Sequence, residues 1–206
     1  MTEQIKIDFE KTIKTSDLSE ADAELKKQFL NKFIKNGFPS RKLENWKFSD
    51  INQIIQKNIG ELSFYNDYSS SNKIDTSIFV DGLEHNKIVF INGRLEKIDF
   101  SYEDKNKVEI NESSNFKNNL ENNNSLTDLN SAFINKSYII LIKKNYSLKK
   151  PLIVYHSTNN KIKSKNINLR LDFQLEQNSS LRLIDFFYHI SKKNFINVFN
   201  NFNLKK

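Results

Sequence analysis

The sequence predicts an α+β chain in which a helical N-terminal segment gives way to a region built only of strands. Three observations carry that prediction. Apolar residues recur every three to four positions near the N-terminus, an Asn-Gly pair separates two apolar runs in the middle, and strand-like runs follow one another from residue 138 with only short polar turns between them. At 206 residues the chain suits one large domain or two small ones, and folding at that length buries roughly 70% of the unfolded surface. Apolar residues make up only 37%, yet Leu, Ile, Val and Phe are too abundant for a disordered chain.

The first predicted helix starts at Ser19, a cap with Asp22 three residues on. It carries Ala21, Leu25, Phe29 and Phe33 on one face and stops at Asn36-Gly37 before Pro39. A second helix is expected from Ser49, turning Ile51, Ile54, Ile55 and Ile59 inward before Gly60. Residues 61–77 are polar and Ser-rich and read as a loop. Next comes a hairpin. The run 88–91 is apolar, Asn92-Gly93 suits a tight turn whose two central residues need positive φ, and 94–100 returns with Leu95 and Ile98. An Asn-rich connection over 111–124 precedes a short helix over 127–133. Strands are then expected at 138–142, 152–155, 167–175, 181–187 and 195–199. In the third of these, Ile167, Leu169, Leu171, Phe173 and Leu175 alternate with Asn168, Arg170, Asp172 and Gln174, which predicts one buried and one wet face. Such runs fit either a sandwich or the rungs of a parallel β-helix. The chain thus divides into 1–80, helical with a polar loop; 81–137, the hairpin and its connection; and 138–206, the strand region.

Several chemistries are excluded by residue type. Cysteine is absent, so the chain alone has no disulfide, thiolate metal site or cysteine nucleophile. The four glycines stand far apart and no Gly-Lys-Ser/Thr occurs, which removes the phosphate-binding loop. The net charge of +7 invites a nucleic-acid reading, but Lys dominates and Arg is limited to Arg41, Arg94, Arg170 and Arg182. Phosphate and base recognition favours the guanidinium, and the densest basic cluster is only Lys161, Lys163 and Lys165, so a solvated surface is the preferred reading. His85, His156 and His189 have no metal-ligand spacing; Ser157 beside His156 and Asp185 before His189 lack a nucleophile elbow. No catalytic, cofactor-binding or metal residue is assigned. Residues 1–10 include acidic side chains and no apolar core, and the longest aliphatic run is 139–142, so neither signal peptide nor membrane span is expected and the location reads as cytoplasmic.

Arg41, Glu44 and Trp46 form the densest constellation, around the one Trp. They read either as a partner-contact motif or, as preferred here, as a structural lock with the indole between the helices and an Arg–Glu pair beside it. The surrounding stretch 38–48, with Pro39, Arg41, Glu44, Asn45, Trp46 and Lys47, resembles the N-terminal signature of the SufD branch of the SufB/SufD family of iron–sulfur cluster assembly proteins. Three further blocks agree in order. Residues 88–94, ending in Asn92-Gly93-Arg94, resemble the family's apolar strand and Asn-Gly-Arg segment; 129–133, opening with Leu129-Asn130, resemble its Leu-Asn-x-Ala segment; and Pro151 with 178–184 resemble the entry to its core domain.

The resemblance implies a small helical N-terminal domain followed by a right-handed parallel β-helix, here its first rungs, in a non-catalytic scaffold of the SUF system. It also implies SufB-like and SufC-like partners in a SufBCD complex, with an iron–sulfur cluster only at the level of that complex. This sequence ends while still strand-like, so the family's SufC-binding region has no counterpart, and a truncated or split form is expected. An open last rung at 195–202 would make the isolated chain self-associate. Two alternatives from other classes are a β-helix carbohydrate-active enzyme using Asp172, Glu176 and Asp185, and a Lys-rich polyanion binder.

Overall fold

The computed structural model describes residues 2–65, 73–113, 124–189 and 193–205. Among the described residues four α-helices pack beside two four-stranded mixed sheets. Helix α1 (Thr2–Thr15) buries Ile5, Phe9 and Thr12. Their spacing of four and then three is a helical signal not used in the expectation of a first helix from Ser19. Helix α2 (Glu20–Asn36) begins as expected, with the Ser19 hydroxyl accepting the Asp22 N–H at 3.1 Å. It ends at Gly37, whose N–H makes the last helical bond to the Phe33 carbonyl and whose φ of +68° then turns the chain out of the helix. Helix α3 (Ile51–Asn58) is capped by Asp50 rather than Ser49, because the carboxylate is the acceptor placed under the Gln53 N–H at 3.0 Å. Only Ile55 of its expected inward residues is fully buried; Ile54 is 46% exposed.

Helix α4 (Ser125–Phe133) carries the helical core into the sheets. Leu129, Ala132 and Phe133 join Ile5, Phe9, Phe29, Phe33, Phe38 and Phe64 in one apolar cluster. The rings meet edge to face, Phe9 to Phe133 at 5.8 Å and Phe33 to Phe38 at 5.0 Å, an arrangement that adds about 1 kcal/mol per pair to the burial itself.

In the first sheet, β1 (Asn86–Ile91) and β2 (Arg94–Asp99) form the expected hairpin. Asn92 and Gly93 take φ of +53° and +84°, as a primed turn requires. Strands β5 (Leu152–Thr158) and β7 (Leu183–His189) then add in parallel, giving the order β2-β1-β5-β7. In the second sheet, β3 (Val108–Ser113) runs antiparallel to β4 (Ser137–Ile142), followed in parallel by β6 (Asn166–Leu175) and β8 (Phe195–Leu204). Strand β3 corrects the reading of 111–124 as connection throughout, since Asn111, Glu112 and Ser113 pair with β4; residues 114–123 of that call lie outside the described residues.

From β4 onward consecutive strands alternate between the sheets, and β6, β7 and β8 each lie parallel to the strand two before them. Ladder neighbours therefore lie 29 to 33 residues apart in sequence. Turns repeat with the strands: Asn145 and Asn178 share φ of +57° and bond each other at 3.0 Å, and Ser147 bonds Ser180 at 2.8 Å. Between the sheets Ile88, Phe90, Ile140, Ile142, Val154, Leu169, Leu171 and Phe173 fill the core. The expected wet face of β6 is instead buried: Asn168 is 4% and Arg170 1% exposed. Helix α4 packs over that face, and Arg170 forks onto Asp172 at 3.0 and 3.1 Å, which makes polar burial tolerable. No helix among the described residues is long and apolar enough to cross a membrane.

Lys26 is fully buried between α2 and the C-terminal end of α4, donating to the Ile134 and Ala132 carbonyls. Burial lowers its pKa to about 7 against the opposing pull of Asp22. Between about pH 7 and 10.5 the unfolded chain thus holds a proton that the folded chain has released, and stability rises with pH across that window. Urea unfolding is expected to give a slope on this group approaching 1.4 kcal/mol per pH unit, and Lys26→Met should flatten it; identical pH profiles for the two proteins would contradict a neutral buried amine.

Candidate interaction surface

The signature segment lies on the surface between the end of α2 and the start of α4. Pro39 is buried and its carbonyl accepts the Ile51 N–H at 3.2 Å, fixing the entry to α3. Residues Glu44–Trp46 form a 3-10 turn. Together with Asn36, Pro39, Leu43, Asn124 and Ser125 they line a cleft of about 760 Å³.

The structural-lock reading is corrected in both its parts. Trp46 is only half-buried and stands outside the helical core. Glu44 pairs with Lys47 at 3.0 Å, while Arg41 reaches Gln53 at 3.5 Å, so the Arg–Glu pair does not form. The 3-10 turn accounts for this: it runs from Glu44 to Trp46 with Lys47 at its end and so brings Lys47 onto the side of Glu44, whereas Arg41 lies before the turn. Around the indole, Leu43 is 53% and Phe48 85% exposed, and Arg41, Lys42, Asn45 and Lys47 are exposed beside them. An apolar patch with a basic rim is the chemistry of a contact surface.

The other signature residues serve the frame. Asn92 exchanges two hydrogen bonds with Asn159, at 2.9 and 3.0 Å, tying the hairpin turn to the end of β5. Arg94 stands 3.8 Å from Glu96. Leu129 is fully buried, and the Asn130 amide donates to the Leu169 and Asn197 carbonyls at 2.8 Å each. Pro151 precedes β5, and its carbonyl accepts the Asn86 N–H at 2.8 Å, starting the β1–β5 ladder.

A second surface lies at the outer edges of β7 and β8, which carry no further strand among the described residues. Phe187 is 48%, Phe202 50% and Leu204 67% exposed there. Phe187 stacks on His156 at 4.6 Å and Phe202 on Phe173 at 4.9 Å. His156 donates through Nε2 to the Asp185 carboxylate at 2.9 Å, and Asp185 also accepts from Asn200 at 2.7 Å. Sequence spacing sets Asp185 four before His189, a fragment set aside for want of a nucleophile elbow, and the His189 side chain lies outside the described residues; the pairing with His156 comes from strand register.

The carboxylates weighed for glycosidic chemistry are dispersed. Asp172 is forked by Arg170 on the outer face of the second sheet, Asp185 points between the sheets, and Glu176 accepts the Lys144 N–H at 2.9 Å in a turn. Of the Lys cluster, Lys165 is spent on Ser63 and the Tyr65 carbonyl. Among the described residues no three His, Cys, Asp or Glu side chains gather as metal ligands. No protein-family model and no curated protein sequence matches this chain.

The exposure of the signature patch generates a stability contrast. Phe48→Ser should change unfolding free energy by less than about 0.5 kcal/mol, whereas Phe33→Ala in the helical core should cost about 3–5 kcal/mol. Thermal and urea denaturation of both variants check this; a large loss from Phe48→Ser would return the patch to a structural role.

Proposed function

We propose that this chain is a SufD-like, non-catalytic scaffold component of iron–sulfur cluster assembly, acting beside SufB-like and SufC-like partners in the cytoplasm. The observation that carries the reading is the agreement between four sequence blocks in family order and the alternating, parallel arrangement of β4 to β8. In this reading those strands are the first rungs of a right-handed parallel β-helix, and α1 to α3 form the small helical domain before it. The uses of the block residues support a frame rather than a reaction: Asn92, Asn130 and Pro151 make hydrogen bonds that position strands and helices. Partner contact falls to the exposed patch around Trp46 and to the edges of β7 and β8, which carry no further strand among the described residues and suit strand addition. The cluster is cargo of the complex, and no residue of this chain is assigned as its ligand.

Affinity purification of the tagged chain from its native host is expected to recover a SufB-like and a SufC-like protein. Recovery of neither, under conditions where an intact SufD recovers both, would overturn the functional reading.

A further inference from the structure

A cleft of about 380 Å³ opens where the Asn92-Gly93 turn, the end of β3 and the link from α4 to β4 meet. Its walls include Arg94, Glu112, Asn135, Lys136 and Tyr138, and its volume falls in the range of small-molecule sites. Charge in the cleft is balanced. Lys136 meets Glu112 at 2.5 Å, and Arg94 stands 3.8 Å from Glu96. A simple anion entering here faces carboxylates, and a simple cation faces Arg and Lys. A ligand bearing both signs a few bonds apart finds a complementary group for each.

Two neutral groups give the cleft direction. Tyr138 is 6% exposed, and the Leu95 N–H donates to its oxygen. Burial, assisted by Glu112, pushes its pKa up to about 12, so the hydroxyl keeps its proton and remains a donor. The Asn135 Oδ1 atom is buried and accepts no hydrogen bond from the described residues. A buried acceptor left unmet is destabilising, and a ligand N–H would relieve it.

We propose that this cleft binds a small zwitterion of the α-amino acid class, its carboxylate held by the Arg94 guanidinium and the Tyr138 hydroxyl, its ammonium by Glu112 and Asn135 Oδ1. Lys136 holds Glu112 at the ammonium end. A scaffold role neither requires nor forbids such a ligand.

Calorimetric titration and saturation-transfer NMR of the full chain with the proteinogenic L-amino acids, each up to roughly 10 mM, test the proposal. At least one is expected to bind saturably, and its N-acetyl and methyl-ester derivatives, each lacking one charge, to bind about tenfold or more weakly. Arg94→Gln and Asn135→Leu should weaken it by a similar factor, while Phe48→Ser leaves it unchanged. If either cleft variant fails to fold by circular dichroism, the derivative comparison on the wild-type chain decides. No saturable binding by any amino acid, or acetate or inorganic phosphate binding as tightly as the best of them, would overturn the proposal.

Discussion

The Asn130 side chain is the fastening on which the molecule depends. It is fully buried in α4, and its amide donates to the carbonyls of Leu169 on β6 and Asn197 on β8. Asn197 returns a bond to the Leu126 carbonyl at 2.8 Å and reaches Asn168 at 3.2 Å, and Asn168 donates to Asn166 at 2.7 Å. The amide N–H groups of this buried network are met in one arrangement, while the Asn130 Oδ1 accepts no hydrogen bond from the described residues; the donors' two fixed acceptors set the position of α4 on the sheet as well as its presence there. Phe133 and Leu129, on the same helix, then seat the rings of α1 and α2.

Beneath α4 the strands are held by repetition. Phe90, His156 and Phe187 occupy matched ladder positions on β1, β5 and β7, with rings 6.0 and 4.6 Å apart. Phe173 over Phe202, Asn168 beside Asn197 and Asp172 beside Asn201 repeat the pattern on β6 and β8. Parallel, in-register strands place like side chains one above another, so each strand offers the next a surface already shaped for it. Among the described residues β7 and β8 are the last strands of their sheets, and Glu103, which accepts from Asn86, Tyr146 and the Lys149 and Lys150 N–H groups, secures the loops at one end of the stack.

Much of this was legible in residues. The hairpin followed from Asn92-Gly93, α2 from Ser19 and its apolar spacing, and β4 to β8 from their aliphatic and aromatic runs. What escaped did so for physical reasons. Helix α1 is short of apolar residues because it shows the core only one face, with Ile5 and Phe9 buried. Strand β3 is an edge strand with polar positions at Glu109, Asn111 and Glu112, which period alone does not separate from a loop. The outer face of β6 carries Asn, Arg and Asp, yet tertiary packing and not polarity decides its burial. The repeat of Asn145-x-Ser147-Leu148 in Asn178-x-Ser180-Leu181 is present in the sequence and marks the strand spacing; no single period exposes it, because paired strands are offset by 33 residues between β4 and β6, 31 between β5 and β7 and 29 between β6 and β8. The surface around Trp46 was legible as a motif but not as exposed, since exposure depends on where α3 and α4 leave it.

The central claim is that α4, through Asn130, couples the helical layer to the sheets so that they fold as one unit. Urea unfolding followed at once by fluorescence of Trp46, in the helical layer, and by far-UV circular dichroism of the strands tests it most directly, in the wild-type chain and in Asn130→Ala. The account predicts coincident transitions in the wild type and a variant that loses about 2–3 kcal/mol while its two transitions separate. Transitions already separate in the wild type, or an Asn130→Ala variant of unchanged stability and coincidence, would contradict it.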